Sequence, residues 1–264
     1  MTTKQPTVML RDLSIGYKTK QGVRTVAEGI TADICSHQLT CLLGENGIGK
    51  STLLRTLANF QPRLGGDIMI EGRQLDDYSD NELARTVGIV LTERPDVQQM
   101  TARELVAMGR SPYTGFWGRL SADDEQVVDE ALRLVGIDKL SRRNVSRLSD
   151  GERQKVMIAK ALAQQTPVIY LDEPTAFLDY PSKVEMLLLL RRISREAGKT
   201  VFLSTHDLEL ALQVADMVWL MGHDGLSIGT PRQLADQGIM GRFIERSPDI
   251  RFDTVQMTIT VGDV

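Results

Sequence analysis

The sequence predicts an α/β fold in a single domain: a mainly parallel sheet layered with helices, an N-terminal antiparallel β-subdomain beside it, and an inserted α-helical subdomain. Three observations lead there. Four short apolar runs, 39–43, 87–91, 168–171 and 201–204, are continuous rather than alternating, as strands covered on both faces of a parallel sheet must be. Helical segments lie between them, the alternation of a layered α/β core. The first 35 or so residues and 67–70 alternate more and border the hairpin-like glycines Gly65, Gly66 and Gly72, which suits antiparallel strands.

Size and charge narrow the class. With 264 residues, 42% hydrophobic and 25% charged, the chain can bury one large core and is too apolar for a disordered polymer. No apolar run approaches the ~18 residues of a membrane span, the densest patch being 187–190. The first dozen residues lack the apolar stretch of a secretory signal. Thirty-one basic against 35 acidic residues give a net charge of −4, which argues against a nucleic-acid binder working through bulk charge. Cys35 and Cys41 fit neither a zinc pattern nor a C-x-x-C pair and are expected to pack as small buried hydrophobes. The expectation is a soluble, reduced, cytoplasmic protein.

Taken in order, the β-subdomain covers about 1–35 and 65–75, the core 36–92 and 150–230, the helical subdomain 93–149, and a C-terminal extension 231–264. In the helical subdomain Thr101 and Glu104 have the spacing of a capping box. Ser121 starts a second helix, with Val127, Val128, Ala131, Leu132 and Val135 on one side and Gly136 as the stop. A core helix is expected over about 182–197, ended by Gly198. Thr230 and Pro231 read as an N-cap followed by proline at the first helical position. Residues 252–261 alternate weakly and suggest an edge strand.

The chemistry starts at Gly44, Glu45, Asn46, Gly47, Ile48, Gly49, Lys50 and Ser51, which fit G-x-x-x-x-G-K-[ST] between a strand and a helix opening near Lys50. This is a P-loop: its glycines let backbone N–H groups converge on phosphate oxygens, and the helix adds the positive end of its dipole. Lys50 is placed to reach the β- and γ-phosphates of a nucleotide, and Ser51 offers a hydroxyl to Mg²⁺. The strand 168–171 runs into Asp172 and Glu173. At the C-terminal edge of a parallel sheet, Asp172 would hold the metal and Glu173 would orient or deprotonate a water.

Three further features read two ways. Ser149 and Glu152 have capping-box spacing at a helix start, and the same serine with Gly151 makes an anion site. His206, one of three histidines, follows the strand 201–204 and is either a structural donor or a catalytic group. Tyr17 is either a loop residue or a platform for a purine ring.

The order of Gly44 to Ser51, Ser149 to Glu152, Asp172, Glu173, Asp179 and His206 resembles the nucleotide-binding subunit of an ATP-binding cassette (ABC) transporter over nearly the whole chain. The segments 108–113 and 120–124 are similar to the ATPases of importers for iron–siderophore complexes, haem and cobalamin. The resemblance implies ATP and Mg²⁺ as ligands. It implies a head-to-tail homodimer in which Ser149, Gly151 and Glu152 of one chain cover the P-loop, with its Thr52, of the other. Tyr17 then stacks on adenine, Asp179 couples the two sites, Glu173 is the catalytic carboxylate and His206 contacts the γ-phosphate. The helical subdomain would grip a polytopic permease at the cytoplasmic face of the membrane, with a substrate-binding protein acting indirectly and no nucleic acid as partner. Glu93 stands where such subunits usually carry a glutamine near the metal, and Asp150 where they usually carry glycine. A single cassette with an ordinary insertion disfavours the alternative, a soluble ABC ATPase acting on ribosomes or nucleic acid.

Overall fold

The computed structural model describes residues 6–20, 22–92, 99–115, 118–245, 247 and 249–262. The chain opens with β1 (Pro6–Thr19) and β2 (Gly22–Cys35), crosses to β3 (Leu39–Gly44) and α1 (Lys50–Leu57), and returns as β4 (Gly65–Ile70) and β5 (Arg73–Gln74). Strands β2-β1-β4-β5 form one antiparallel sheet in that order. Next come α2 (Asp80–Thr86), β6 (Val87–Val90), α3 (Ala102–Ala107), α4 (Ala122–Leu134) and α5 (Asp150–Ala163). The core then alternates through β7 (Val168–Asp172), α6 (Tyr180–Glu196), β8 (Thr200–Ser204), α7 (Leu208–Val214), β9 (Met217–Gly222) and β10 (Gly225–Gly229). The chain closes with α8 (Pro231–Asp236), α9 (Ile239–Ile244), β11 (Ile250–Asp253) and β12 (Thr258–Val261).

The main sheet has the order β10-β9-β3-β8-β7-β6 and is parallel except for β10, which pairs antiparallel with β9. Alternation along each strand divides two cores between its faces. Leu39, Cys41 and Leu43 of β3, Ile169 and Leu171 of β7, and Val201 and Leu203 of β8 join the layer packed with α5, α6 and α7. Leu42, Tyr170, Phe202 and Trp219 face the opposite way, onto α1 and the small sheet. There Phe202 sits edge-on between Tyr170 at 6.2 Å and Trp219 at 4.9 Å, a favoured aromatic geometry. Cys41 is buried within β3, and burial pushes its thiol well above the ordinary range.

Capping boxes are present at Thr101, Ser121, Ser149 and Thr230. Two expectations are corrected. The tail is no edge strand of the main sheet: β11 and β12 pair with each other as a separate hairpin, tied down where Ile259 N–H donates to the Glu209 carboxylate of α7. Helix α6 begins at Tyr180, two residues earlier than expected. There Asp179 caps it by accepting from Ser182 N–H, and Pro181 fits the first turn. Strands β9 and β10 are not among the apolar runs expected of the sheet; β9 extends it beside β3 and β10 closes that edge.

The helical region is anchored to the end of α5 by one arginine. Arg110 is 6% exposed. Its Nε donates to Asp124 Oδ1 at 2.8 Å, and Nη1 to the Ala163 carbonyl and to Gln165 Oε1, each at 2.8 Å. Its guanidinium lies 3.9 Å from the ring centroid of Tyr113. Asp124 also accepts the hydroxyl and N–H of Ser121 at 2.7 and 3.0 Å. The Ser121 bonds, then Arg110, hold the Asp124 carboxyl down at about 2. Because an unfolded aspartate titrates near ~3.9, this stabilisation is complete above that pH and disappears as pH falls towards the folded value. Asp124→Asn should therefore lower stability at neutral pH and flatten its decline between about pH 4 and 2, read by urea unfolding across that range.

Candidate active site

The parallel register sets the site. Ser204 of β8 lies opposite Leu42 of β3 and opposite Asp172 of β7, so three strands end side by side and their following loops share one edge, where ligands bind in such sheets. After β3 the chain turns through 44–49 into α1. Gly47 and Gly49 take φ of 80° and 120°, a backbone side chains rarely adopt. A Cβ on Gly49 would stand 2.3 Å from Val26 Cγ1, so the β-subdomain presses directly on the loop. No side chain caps α1, which leaves its first N–H groups facing the loop.

Lys50 is buried and folds back, its Nζ donating to the carbonyls of Gly44 at 2.9 Å and Glu45 at 3.1 Å. The same Nζ lies 3.7 Å from Glu173 Oε1. Ser51 Oγ donates to Asp172 Oδ1 at 3.0 Å, and Ser204 Oγ donates to the same oxygen at 2.7 Å. Ser204 Oγ in turn accepts the Glu173 N–H at 2.9 Å. Thr92 donates its hydroxyl to the Asp172 carbonyl at 2.8 Å.

Glu173 leaves the strand direction with φ of 51°, so the two adjacent carboxylates have different surroundings. Asp172 is 4% exposed and gripped by hydroxyls. Glu173 faces Lys50, and its Oε2 lies 2.5 Å from His206 Nδ1. A carboxylate accepts only, so Nδ1 carries the proton and Nε2 stays available.

Tyr17 shares a hydrogen bond of 2.7 Å with the Thr52 hydroxyl while its side remains exposed. With Arg24, Val26, Asn46, Gly47, Gly49, Lys50, Ser51, Thr52, Thr92 and Glu173 it lines a cavity of about 520 Å³, within the range that holds small-molecule ligands. Glu45 and Ile48 face the other side of the loop, beside His223. The sequence offered no signal for Arg24, Val26 or Thr92 and little for Ser204, whose parts follow from pairing across the fold. A serine ending an apolar strand was the only visible hint of Ser204.

Other expected residues lie elsewhere. Ser149 caps α5, its N–H donating to Glu152 Oε2 at 2.9 Å and its Oγ accepting Glu152 N–H at 3.2 Å. Asp179 caps the adjacent α6, and a Cβ on Gly151 would stand 3.8 Å from Ser182 Oγ, so the two helix starts are neighbours. The Asp179 carboxyl is held below its usual range by the Ser182 bonds. None of Ser149, Gly151, Glu152 or Asp179 lines the cavity at the P-loop. Glu93 lies outside the described residues.

The donor chemistry suits a phosphate chain and a hard cation. The loop and α1 present N–H groups to an anion, and Lys50 brings its charge. The Ser51 hydroxyl and Asp172 carboxylate are hard oxygen donors. Among the described residues no three acidic, histidine or cysteine side chains cluster to cage an ion; a metal held by Ser51 and Asp172 would need further oxygen donors from phosphate or water, the kind of shell Mg²⁺ takes.

A family model described as ABC transporter matches residues 27–176. The ferric enterobactin transport ATP-binding protein of Escherichia coli is 35% identical over 231 residues, covering 87% of this chain and 84% of that protein. The iron(3+)-hydroxamate import ATP-binding protein of Bacillus subtilis is 33% identical over 243 residues, covering 91% and 88%. Among solved structures, a transporter described as of metal-chelate type, in an inward-facing conformation, is similar with a TM-score of 0.75 and 26% identity, over 87% of this chain and 85% of that one.

Ser204 is fully buried and serves both carboxylate-bearing residues. Ser204→Ala strands the Glu173 N–H and should cost about 1–3 kcal/mol, measured as a lower urea midpoint with an unchanged m-value.

Proposed function

The chain belongs to the ABC transporter family and is an ATPase, and we propose that it powers import of an iron complex, siderophore or haem, or of cobalamin, through a partner membrane permease. Two of the relatives are named for ferric complexes, which supports the substrate class. The observation that carries the assembly is a separation within one chain. Lys50, Ser51, Asp172, Glu173 and His206 meet at the P-loop, while Ser149, Gly151 and Asp179 form a second, neighbouring pair of helix starts that leaves this cavity uncovered.

Two copies head to tail complete each site. Gly44 to Ser51 cradle the phosphates, with Lys50 on the β- and γ-phosphates. Ser51 and Asp172 would hold Mg²⁺, which would neutralise phosphate charge when bound. Tyr17 stacks on the adenine and Thr52 fixes its hydroxyl. Glu173 orients the attacking water and takes its proton, while His206 presents Nε2 to the γ-phosphate. Ser149, the Gly151 N–H and Glu152 of the partner close over that phosphate, and Asp179 connects the two sites. A γ-phosphate touching both chains stabilises the closed dimer more than the open one, and only such a difference shifts the equilibrium. The symmetric pair has an isologous interface.

For the permease, a groove of about 460 Å³ between α2, β6, α5 and the turns that follow α1 and α3 is lined by Phe60, Leu83, Met108 and Met157 among others. Phe60 is 64% and Met108 47% exposed there, apolar surface suited to a short cytoplasmic helix. Among the described residues no helix is long and apolar enough to cross a membrane, which fits a peripheral subunit at the cytoplasmic face, with the substrate-binding protein reached only through the permease.

Purified Glu173→Gln should form an ATP-dependent dimer by light scattering; a protein that binds ATP tightly yet stays monomeric overturns the two-chain site. Ser149→Arg should abolish turnover while changing nucleotide affinity of the isolated subunit by less than about threefold, roughly 0.7 kcal/mol.

A further inference from the structure

The residue after His206 makes a set of bonds that the hydrolytic mechanism does not use. Asp207 has a side chain only 14% exposed. Its Oδ2 accepts the Thr175 hydroxyl at 2.8 Å and its Oδ1 accepts Lys183 Nζ at 2.7 Å. Its own N–H donates to Thr205 Oγ1 at 3.1 Å. Each partner belongs to a different part of the site. Thr175 is 1% exposed and lies in the turn that leaves Glu173. Lys183 stands in the first turn of α6, and its N–H donates to the carbonyl of Asp179 at 2.9 Å.

One carboxylate therefore joins three pieces: the backbone that carries His206, the turn that carries Glu173, and the helix start that carries Asp179. That turn is held by few regular bonds. Glu173 and Phe177 both take left-handed φ, 51° and 65°, and Ala176 and Leu178 make the backbone bonds within it. The bond from Thr175 to Asp207 joins those of Glu173 with Ser204 and His206 in fastening it to the neighbouring strand end and loop. Burial by itself would raise the Asp207 carboxyl, yet the bonds from Lys183 and Thr175 hold it below its usual range. The group is thus ionised and paired, in a setting where losing either partner is costly.

We propose that Asp207 is a positioning residue for hydrolysis: it keeps His206 against the Glu173 carboxylate and, through Lys183, ties that pair to the α6 start that carries Asp179. The inference rests on the ATPase reading of the site. It makes the distance between His206 and Glu173 depend on where α6 stands, so that a change at Asp179 reaches the reacting end of the site through a single charged pair.

The test uses the purified full-length chain with Mg-ATP, comparing Asp207→Asn, Lys183→Met, the double variant and Lys183→Arg. Asparagine still accepts from Thr175 but loses the charge opposite Lys183. The expected result for Asp207→Asn and for Lys183→Met is a fall in kcat of about tenfold with KM for ATP within about twofold, because the ion pair serves the reacting arrangement and not nucleotide binding. The double variant should fall no further than the worse single one, since the two substitutions break the same ion pair. Lys183→Arg should restore kcat to within about threefold, because the pair is kept. An unchanged kcat, multiplying losses in the double variant, or kcat and ATP affinity falling together with the unfolding midpoint would each overturn the proposal. Should Asp207→Asn fail to fold, Thr175→Val and Lys183→Met carry the same expectation on kcat and the same overturning results. Parent protein without ATPase activity would defeat the functional reading itself; active parent with indifferent variants would defeat only this inference.

Discussion

The site depends on one buried carboxylate and the hydroxyls that make its burial tolerable. Asp172 ends a strand whose five residues are all buried, where an ionised group without partners would be expelled or neutralised. Ser51 and Ser204 reach it from two other elements. Those bonds are possible only because β3, β8 and β7 end in register. The sheet's topology and the burial of that carboxylate are therefore one condition. The same serine that satisfies Asp172 also accepts the Glu173 N–H, so the left-handed turn that separates the two acidic side chains is fastened to the oxygen that stabilises the first.

How much of this could be read beforehand follows the range of the interaction. Local rules performed well: the capping boxes at Thr101 and Ser149 and the helix starts at Ser121 and Thr230 involve atoms three residues apart, and the P-loop is a contiguous string. Four of the five parallel strands were visible because burial on both faces leaves a nearly continuous apolar run, and β9 was missed. What escaped detection was long-range. Ser204 meets Asp172 across 32 positions, and Asp207 meets Thr175 across the same number; neither pairing leaves a pattern in the chain. The hairpin β11–β12 was misplaced because weak alternation says that a strand forms but not which partner it takes.

The segments 108–113 and 120–124, which resemble iron-complex importers, turn out to hold a structural junction. Arg110 and Asp124 bind each other, Tyr113 stacks under the guanidinium, and the remaining donors go to Ala163 and Gln165. Gly109 is needed because a Cβ there would stand 2.3 Å from the Lys160 carbonyl. A motif first noticed through likeness thus gains a physical reason: it presses the helical region onto the last turn of α5 and sets Met108 at the mouth of the groove.

That junction gives α5 two functional ends. At its start, Ser149 is held by Glu152 and sits beside the α6 cap at Asp179; at its finish, Ala163 is bound by Arg110 next to the groove. Fourteen residues separate the ends, about 20 Å of helix at 1.5 Å per residue. Between them Val156, Ile158, Ala159 and Leu162 are buried in the cluster shared by the helical region and the sheet, so the helix is close-packed along its length and resists bending. In the proposed dimer, a phosphate drawing Ser149 towards the opposite P-loop pulls on the element that also forms one wall of the groove. Coupling of nucleotide to permease then needs no chain of small rearrangements, only an element stiff enough to have one position when the dimer is open and another when it is shut.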